Sequence, residues 1–462
     1  MICFHNATIV TMNDQLDIFD GHLLVQDNRI HQLLRLDEEA EYMAVRTANP
    51  EMEIIDCTGR VLLPGLIQTH IHLCQSLFRG QADDLPLLDW LKQKIWPLEA
   101  VHDEESIYVS AQLGIAEMLL SGTTAIVDME TVNYTHHAIQ AIADSGIRAL
   151  TGKVIMDRTS PDIPVPLHES TERALQESMD LYERWHGTAN GRIQYAFNPR
   201  FALSCTDELM REVAKLSSEK GIRVHTHASE NLDEIRIVEE LYGMRNIEYF
   251  DSIGLTSDRL ILAHCVWLDD NEIEMIKRSG VHVSHCPSSN MKLASGFAHI
   301  PRLLEEGVSV SLGADGCACN NHLDIFTEMR MAALIHKPTY GSTSMSAQDV
   351  LWMATRNGAK ALGQEQDLGS LEVGKKADVV VLNLNQLHAY PSETVPIMSR
   401  IVYSAKSTDV ETVMVDGRVV VRDRQLLSLP VNDILSNSNV HIRKMVDRSK
   451  VFEPKTTDMA SP

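Results

Sequence analysis

The chain has 462 residues, 44% apolar and 23% charged, a balance that belongs to a folded globular protein and excludes extended disorder. Its formal net charge of -23 disfavours nucleic-acid backbone and anionic membrane surfaces, because both recruit clustered Lys and Arg. No stretch approaches the ~20 uninterrupted apolar residues of a membrane span, and the start Met1-Ile2-Cys3-Phe4-His5-Asn6 lacks the basic and apolar regions of a secretion signal.

Taken in chain order, the first sixty residues read as short strands with turns. Residues 7–12 form one, and residues 21–26 and 29–33 flank Asp27-Asn28 as a hairpin. From residue 61 the pattern changes to strands alternating with helices, which predicts a parallel barrel. Eight strands are expected, at 61–72, 123–129, 149–156, 193–198, 223–227, 260–264, 281–285 and 308–313, with helices such as 106–120, 206–220 and 270–278 between them. Late in the chain the short-strand pattern returns: 377–382 is one strand, and 410–415 and 418–422 flank Asp416-Gly417. The two ends resemble each other and the middle does not. The expected fold is therefore α/β: a distorted (β/α)8 TIM barrel over residues 61–369, and a small β-sandwich domain from residues 1–60 and 370–430. Residues 431–462 add a C-terminal helix and tail.

Eight Cys are scattered without a C-x-x-C pair, as expected of buried free thiols in a reducing, cytoplasmic setting; Cys317 and Cys319 form only a weak C-x-C metal signal.

Several predicted strands end in polar groups, and in a barrel the active site lies at those carboxyl ends. His70-Ile71-His72 closes the first. Residues i and i+2 of a strand share a face, so both imidazoles can hold one metal. His227 ends the fifth strand with Glu230 just beyond it, His264 ends the sixth, and Asp315 follows the eighth. Three neutral imidazoles and a carboxylate suit Zn²⁺, and Fe²⁺ almost as well. Taken singly, each His could be a core residue and Asp315 a helix cap. Their joint placement at strand ends points to a metal.

The motifs Pro64-Gly65-Leu66-Ile67-Gln68-Thr69-His70-Ile71-His72, His227-Ala228-Ser229-Glu230, Ala263-His264-Cys265, Ser284-His285-Cys286-Pro287-Ser288-Ser289-Asn290 and Gly313-Ala314-Asp315-Gly316 resemble the amidohydrolase superfamily. The branch is the one that contains guanine deaminase, the adenosylhomocysteine, methylthioadenosine and 5'-deoxyadenosine deaminases, and the triazine hydrolases. The resemblance implies one divalent metal ion on His70, His72, His227 and Asp315. It implies catalytic roles for Glu230, which protonates a ring nitrogen, for Asp315, which carries a proton from water to the leaving amine, and for His264, which hydrogen-bonds the reacting centre. A small heterocycle is the expected partner, and a homo-oligomer (dimer or tetramer) the expected assembly.

The substrate signals conflict. Asn198-Pro199-Arg200-Phe201 and Gln75 resemble guanine deaminase, where Arg meets the purine carbonyl. Glu99, after Trp96-Pro97-Leu98, falls where adenosine-type deaminases bind ribose hydroxyls. Gln75, Trp96, Glu99, Arg200, His285 and Asn290 make up the expected substrate-binding set. An adenine nucleoside without a 5' phosphate is the leading expectation. The alternatives are guanine, 8-oxoguanine or a pterin, then a triazine, then a non-enzymatic scaffold of the same fold. Residues 369–376 nearly match a phosphate-binding loop, but Lys376 stands where Ser or Thr is needed and a strand follows.

Overall fold

Gly65 divides what the sequence presents as one long strand. In the computed structural model, which describes residues 1–452, Val61–Pro64 and Leu66–His72 are separate strands in different sheets. A side chain at position 65 is excluded, because a Cβ there would lie 2.0 Å from Thr124 Oγ1. Val61–Pro64 pairs antiparallel with Val379–Leu382 and parallel with Ile2–Val10. Leu66–His72 begins the barrel.

Eight parallel staves follow in chain order around the barrel: Leu66–His72, Thr123–Met129, Arg148–Gly152, Ile193–Pro199, Arg223–Ala228, Leu260–His264, His282–His285 and Ser309–Leu312. The last stave closes the ring in two pieces. Ser309–Leu312 pairs with His282–His285, and after Gly313 and Ala314 the short strand Asp315–Gly316 pairs with Ile71 and His72. Gly313 allows this crossing, since a Cβ there would approach His70 O to 2.7 Å. The staves are buried on both faces, as a parallel sheet between helices requires.

The helices begin where the sequence offers caps. Asp103 caps Glu104–Leu120 through a reciprocal bond with Ser106, Thr206 caps Asp207–Lys220, and Asp269 caps Asp270–Ser279 in a box with Glu272. Val431–Ser449 packs against Glu104–Leu120. The tail expected beyond it, residues 453–462, lies outside the described residues.

Both chain ends meet in one nine-stranded, continuously hydrogen-bonded sheet. Its hairpins turn at the expected places, with Gln26 opposite Arg29 and Val415 opposite Arg418. A buried ion pair ties this sheet to the barrel: Arg148, at the start of the third stave, donates to both oxygens of Asp378 at 3.1 Å. Among the described residues no helix is long and apolar enough to cross a membrane.

Candidate active site

The carboxyl ends of the staves converge on one cavity, lined by His72, His227, Glu230, His264 and Asp315 among others. Three of the residues there have left-handed backbone, Ser229 (φ 51°), His264 (φ 72°) and Asp315 (φ 63°). Such conformations cost about 1–3 kcal/mol each for a non-glycine residue and persist where surrounding structure over-determines them.

His70, His72, His227 and Asp315 place one ligand atom each within 4.8 Å of one another. Asp315 Oδ1 lies 3.2 Å from Nε2 of both His70 and His72. The outward nitrogens are anchored. His72 Nδ1 donates to Met129 O at 2.8 Å and His227 Nδ1 to Arg200 O at 2.7 Å, which leaves each Nε2 as a lone pair facing the centre. His70 Nδ1 pairs with His225 Nε2 at 2.9 Å, and His70 Nε2 is buried without a hydrogen-bond partner. A divalent ion fits this set. The imidazoles face inward, and one buried nitrogen lacks a partner until a cation supplies it.

The electrostatics agree. Burial lowers His70 to about 4, against the pull of Asp315, and lowers His227 well below the usual imidazole range, so both favour the neutral form that ligates. Burial would raise Asp315, but His70, His72 and His264 outweigh it and hold the carboxylate well below its ordinary range. Ser289 Oγ donates to Asp315 Oδ2 at 2.7 Å, and Gly316 N to Oδ1 at 2.8 Å.

Glu230 and His264 stand beside the cluster. Glu230 Oε2 lies 3.6 Å from His264 Nε2, and Asp315 Oδ2 lies 3.7 Å from the same nitrogen. Burial raises Glu230 above the usual carboxylate range, with His264 opposing. His264 moves the other way from its buried neighbours: burial acts to lower it, but Glu230 and Asp315 raise it. Asn290 Oδ1 accepts from His264 Nδ1 at 2.9 Å and fixes the ring.

Of the residues expected at the substrate, Gln75 and Arg200 line the cavity, whereas Trp96, Glu99, His285 and Asn290 do not. Asn290 acts through His264. His285 is buried against His336, with Nε2 atoms 3.2 Å apart. Glu99 lies behind the wall, bonded to Arg200 and Gln75. The two residues that the sequence sets in competing pockets are thus partners in one. The rest of the wall is apolar: Leu87, Trp90 and Leu91 from the segment after the first stave, Phe201 after the fourth, and Leu293. Sequence reasoning missed all of these except Phe201, and also the supporting His225, Ser289 and Ser295. Ser295 Oγ donates to Glu230 Oε1 at 3.2 Å.

Residues 61–420, from the strand before Gly65 through the last stave to the terminal sheet, match the profile of the amidohydrolase family. The chain belongs to that family. This amidohydrolase is 42% identical over 426 residues to the 5'-deoxyadenosine deaminase of Methanothermobacter thermautotrophicus, covering 91% of this chain and 95% of the relative. It is 38% identical over 448 residues to the 5-methylthioadenosine/S-adenosylhomocysteine deaminase of Carboxydothermus hydrogenoformans, 96% and 98% of the two chains. Among solved structures, an adenosine deaminase from Xanthomonas campestris with bound zinc superposes with a TM-score of 0.87 at 31% identity, covering 97% of this chain and 98% of that one. Like these relatives, the amidohydrolase described here is a hydrolase of C–N bonds with a site for a divalent metal.

Proposed function

We propose that this amidohydrolase is a zinc-dependent deaminase that replaces the ring amino group of an adenine nucleoside lacking a 5' phosphate, such as 5'-deoxyadenosine or methylthioadenosine, and releases ammonia. The observation that carries the chemistry is the set His70, His72, His227 and Asp315 facing Glu230 and His264 in one cavity. The substrate class is supported by relatives named for 5'-deoxyadenosine and methylthioadenosine that match over nearly the whole chain.

When bound, the metal supplies Lewis acidity, lowering the pKa of a water from 15.7 in bulk to about 7. The chain's own groups move the protons. Glu230, whose carboxyl burial pushes up, gives its proton to the ring nitrogen beside the carbon under attack. Asp315 Oδ2 takes the proton of the attacking water and delivers it to the departing amine. Its ionised state, braced by Ser289 and the Gly316 amide, makes it the acceptor. His264, drawn toward the charged form by its carboxylate neighbours, donates from Nε2 to the oxygen forming on that carbon. The remaining hydroxyl proton returns to Glu230 as the ring carbonyl forms, so one water is consumed and one ammonia released. Leu87, Trp90, Leu91, Phe201 and Leu293 pack the flat ring and keep other water out.

Two organisational readings accompany this. Residues 61–369 act as the catalytic unit and the two chain ends as a supporting one, in line with the nine-stranded sheet that both ends share. A reducing compartment such as the cytoplasm is supported by eight cysteines that are all free and buried.

The test is ammonia release across 5'-deoxyadenosine, methylthioadenosine, adenosylhomocysteine, adenosine, guanine, a pterin and an aminotriazine. The expected order puts the first two highest in kcat/KM. Guanine turned over about a hundredfold faster than any nucleoside would reverse the substrate assignment, a loss of discrimination of about 2.7 kcal/mol.

A further inference from the structure

Glu230 is held from both sides of its own peptide. It follows the fifth stave, after Ser229 in left-handed backbone (φ 51°). Its N–H donates to Glu234 Oε2 at 2.8 Å, and Asn246 Nδ2 donates to the other oxygen of Glu234 at 2.6 Å. Ser229 O accepts from the backbone N–H groups of Val266 and Trp267, both at 3.0 Å. The carboxyl accepts at Oε1 from the buried Ser295 Oγ, 3.2 Å away.

Trp267 joins these holds. Its backbone N–H is on Ser229, and its indole Nε1 donates to Ser295 O at 2.6 Å. Ser295 N in turn donates to Asn290 O at 2.9 Å, and Asn290 Oδ1 orients the His264 ring. The backbone opposite makes room for the indole. Gly296 has φ 127°, and a Cβ there would lie 2.8 Å from Trp267 Cζ2. Arg245 fixes the far side by donating to Trp267 O. Yet Trp267 is 36% exposed and does not line the cavity, so neither core packing nor substrate contact accounts for an indole held this way.

The proton of Glu230 does account for it. A neutral carboxyl has one accepting oxygen and one O–H. A hydroxyl that donates to Oε1 keeps that oxygen as the acceptor and leaves the proton on Oε2. Oε2 is the oxygen 3.6 Å from His264 Nε2, on the side of the reacting groups. We propose that Trp267 is a positioning residue for the proton transfer: acting through Ser295, it holds the Glu230 proton on Oε2. Without the indole N–H, Ser295 loses its anchor and the carboxyl is free to turn its proton away from the ring nitrogen. The inference rests on the reading of Glu230 as the general acid, and it adds to that reading a residue that touches neither substrate nor metal ligand.

The test is a double-mutant cycle on the metal-loaded enzyme, run with the best substrate of the ammonia-release panel. Trp267→Phe keeps an aromatic side chain and removes the donor; Ser295→Ala removes the hydroxyl. Each is expected to lower kcat about three- to tenfold, with KM within about twofold of the parent and metal content unchanged. In the Glu230→Gln background there is no proton to orient, so adding either substitution should change kcat by less than about twofold. A loss as large in that background as in the parent overturns the proposal, because the side chain then acts on the fold at large. An unchanged kcat in Trp267→Phe overturns it too. Should Trp267→Phe fail to fold, Ser295→Ala carries the same comparison, and a loss that persists in the Glu230→Gln background again overturns it. Failure of the underlying reading looks different: Glu230→Gln alone then stays within about tenfold of the parent, and both assignments fall together.

Discussion

Glu230→Gln isolates the proton transfer on which the deaminase reading depends. Glu230 is outside the four-residue ligand set, and it is held by Ser295 on one oxygen, with His264 Nε2 3.6 Å from the other. Gln has the same outline and keeps an oxygen for Ser295, but it has no proton to give. Loss of a general acid costs about 10²–10⁴ in rate. At about 1.36 kcal/mol per tenfold, that is about 2.7–5.4 kcal/mol of barrier. The loss should fall on kcat, because the proton moves in the transition state, and KM should change little. Steady-state ammonia release with 5'-deoxyadenosine gives the rate, and elemental analysis of the same preparation gives the metal. Turnover within about tenfold of the parent, with metal retained, would refute the assignment and move the acid role to His264. Loss of metal along with activity would show instead that Glu230 belongs to the ligand set.

His70→Ala removes the ligand with the unpartnered buried Nε2 and is expected to abolish metal content and ammonia release together; a variant that stays active without metal sinks the metal reading. Stripping the parent with a strong chelator should lower its thermal midpoint, since a ligand at a hundred times its Kd stabilises by about 2.7 kcal/mol. Asp103→Ala removes the cap of Glu104–Leu120 and its bond to Arg448, for a cost of about 0.5–2 kcal/mol in unfolding. Burial raises Asp103, but Ser106 and Arg448 outweigh it and bring the folded carboxyl to about 2, below the model-peptide value of 3.8. The stabilisation is therefore complete above the unfolded value and disappears as pH falls through about 2. The difference in thermal midpoint between parent and variant should shrink over that window, and a constant difference would refute the linkage.

The barrel was legible because the staves are short and apolar, and several are closed by a residue that packing does not want. His70, His72, His227, His264 and Asp315 announce a site by position alone. The breaks were not legible. Gly65 and Gly313 sit inside apolar runs, and what they avoid, Thr124 Oγ1 and the His70 backbone, lies far off in sequence. The pairing of Glu99 with Arg200 spans 101 residues and leaves no periodic trace, so each read as a free substrate ligand. The apolar wall of Leu87, Trp90 and Leu91 comes from a short helix running into a wider, π-helical turn, where hydrophobic residues carry no recognisable period.

The sheet shared by the two chain ends sets a timetable for synthesis. Asn28 and Asp416, 388 residues apart, are hydrogen-bonded to each other, and Val61–Pro64 pairs antiparallel with Val379–Leu382. At about 5–20 residues per second, a ribosome needs about 20–80 seconds to span that separation. During that interval Val61–Pro64, paired on one side with Ile2–Val10, has its other edge uncovered. The first stave likewise waits for Asp315–Gly316 to close the ring. Both seams therefore close late in synthesis, once residues 315–316 and 379–382 have been made. An unfinished chain carries open β edges, the feature that templates pairing with other chains.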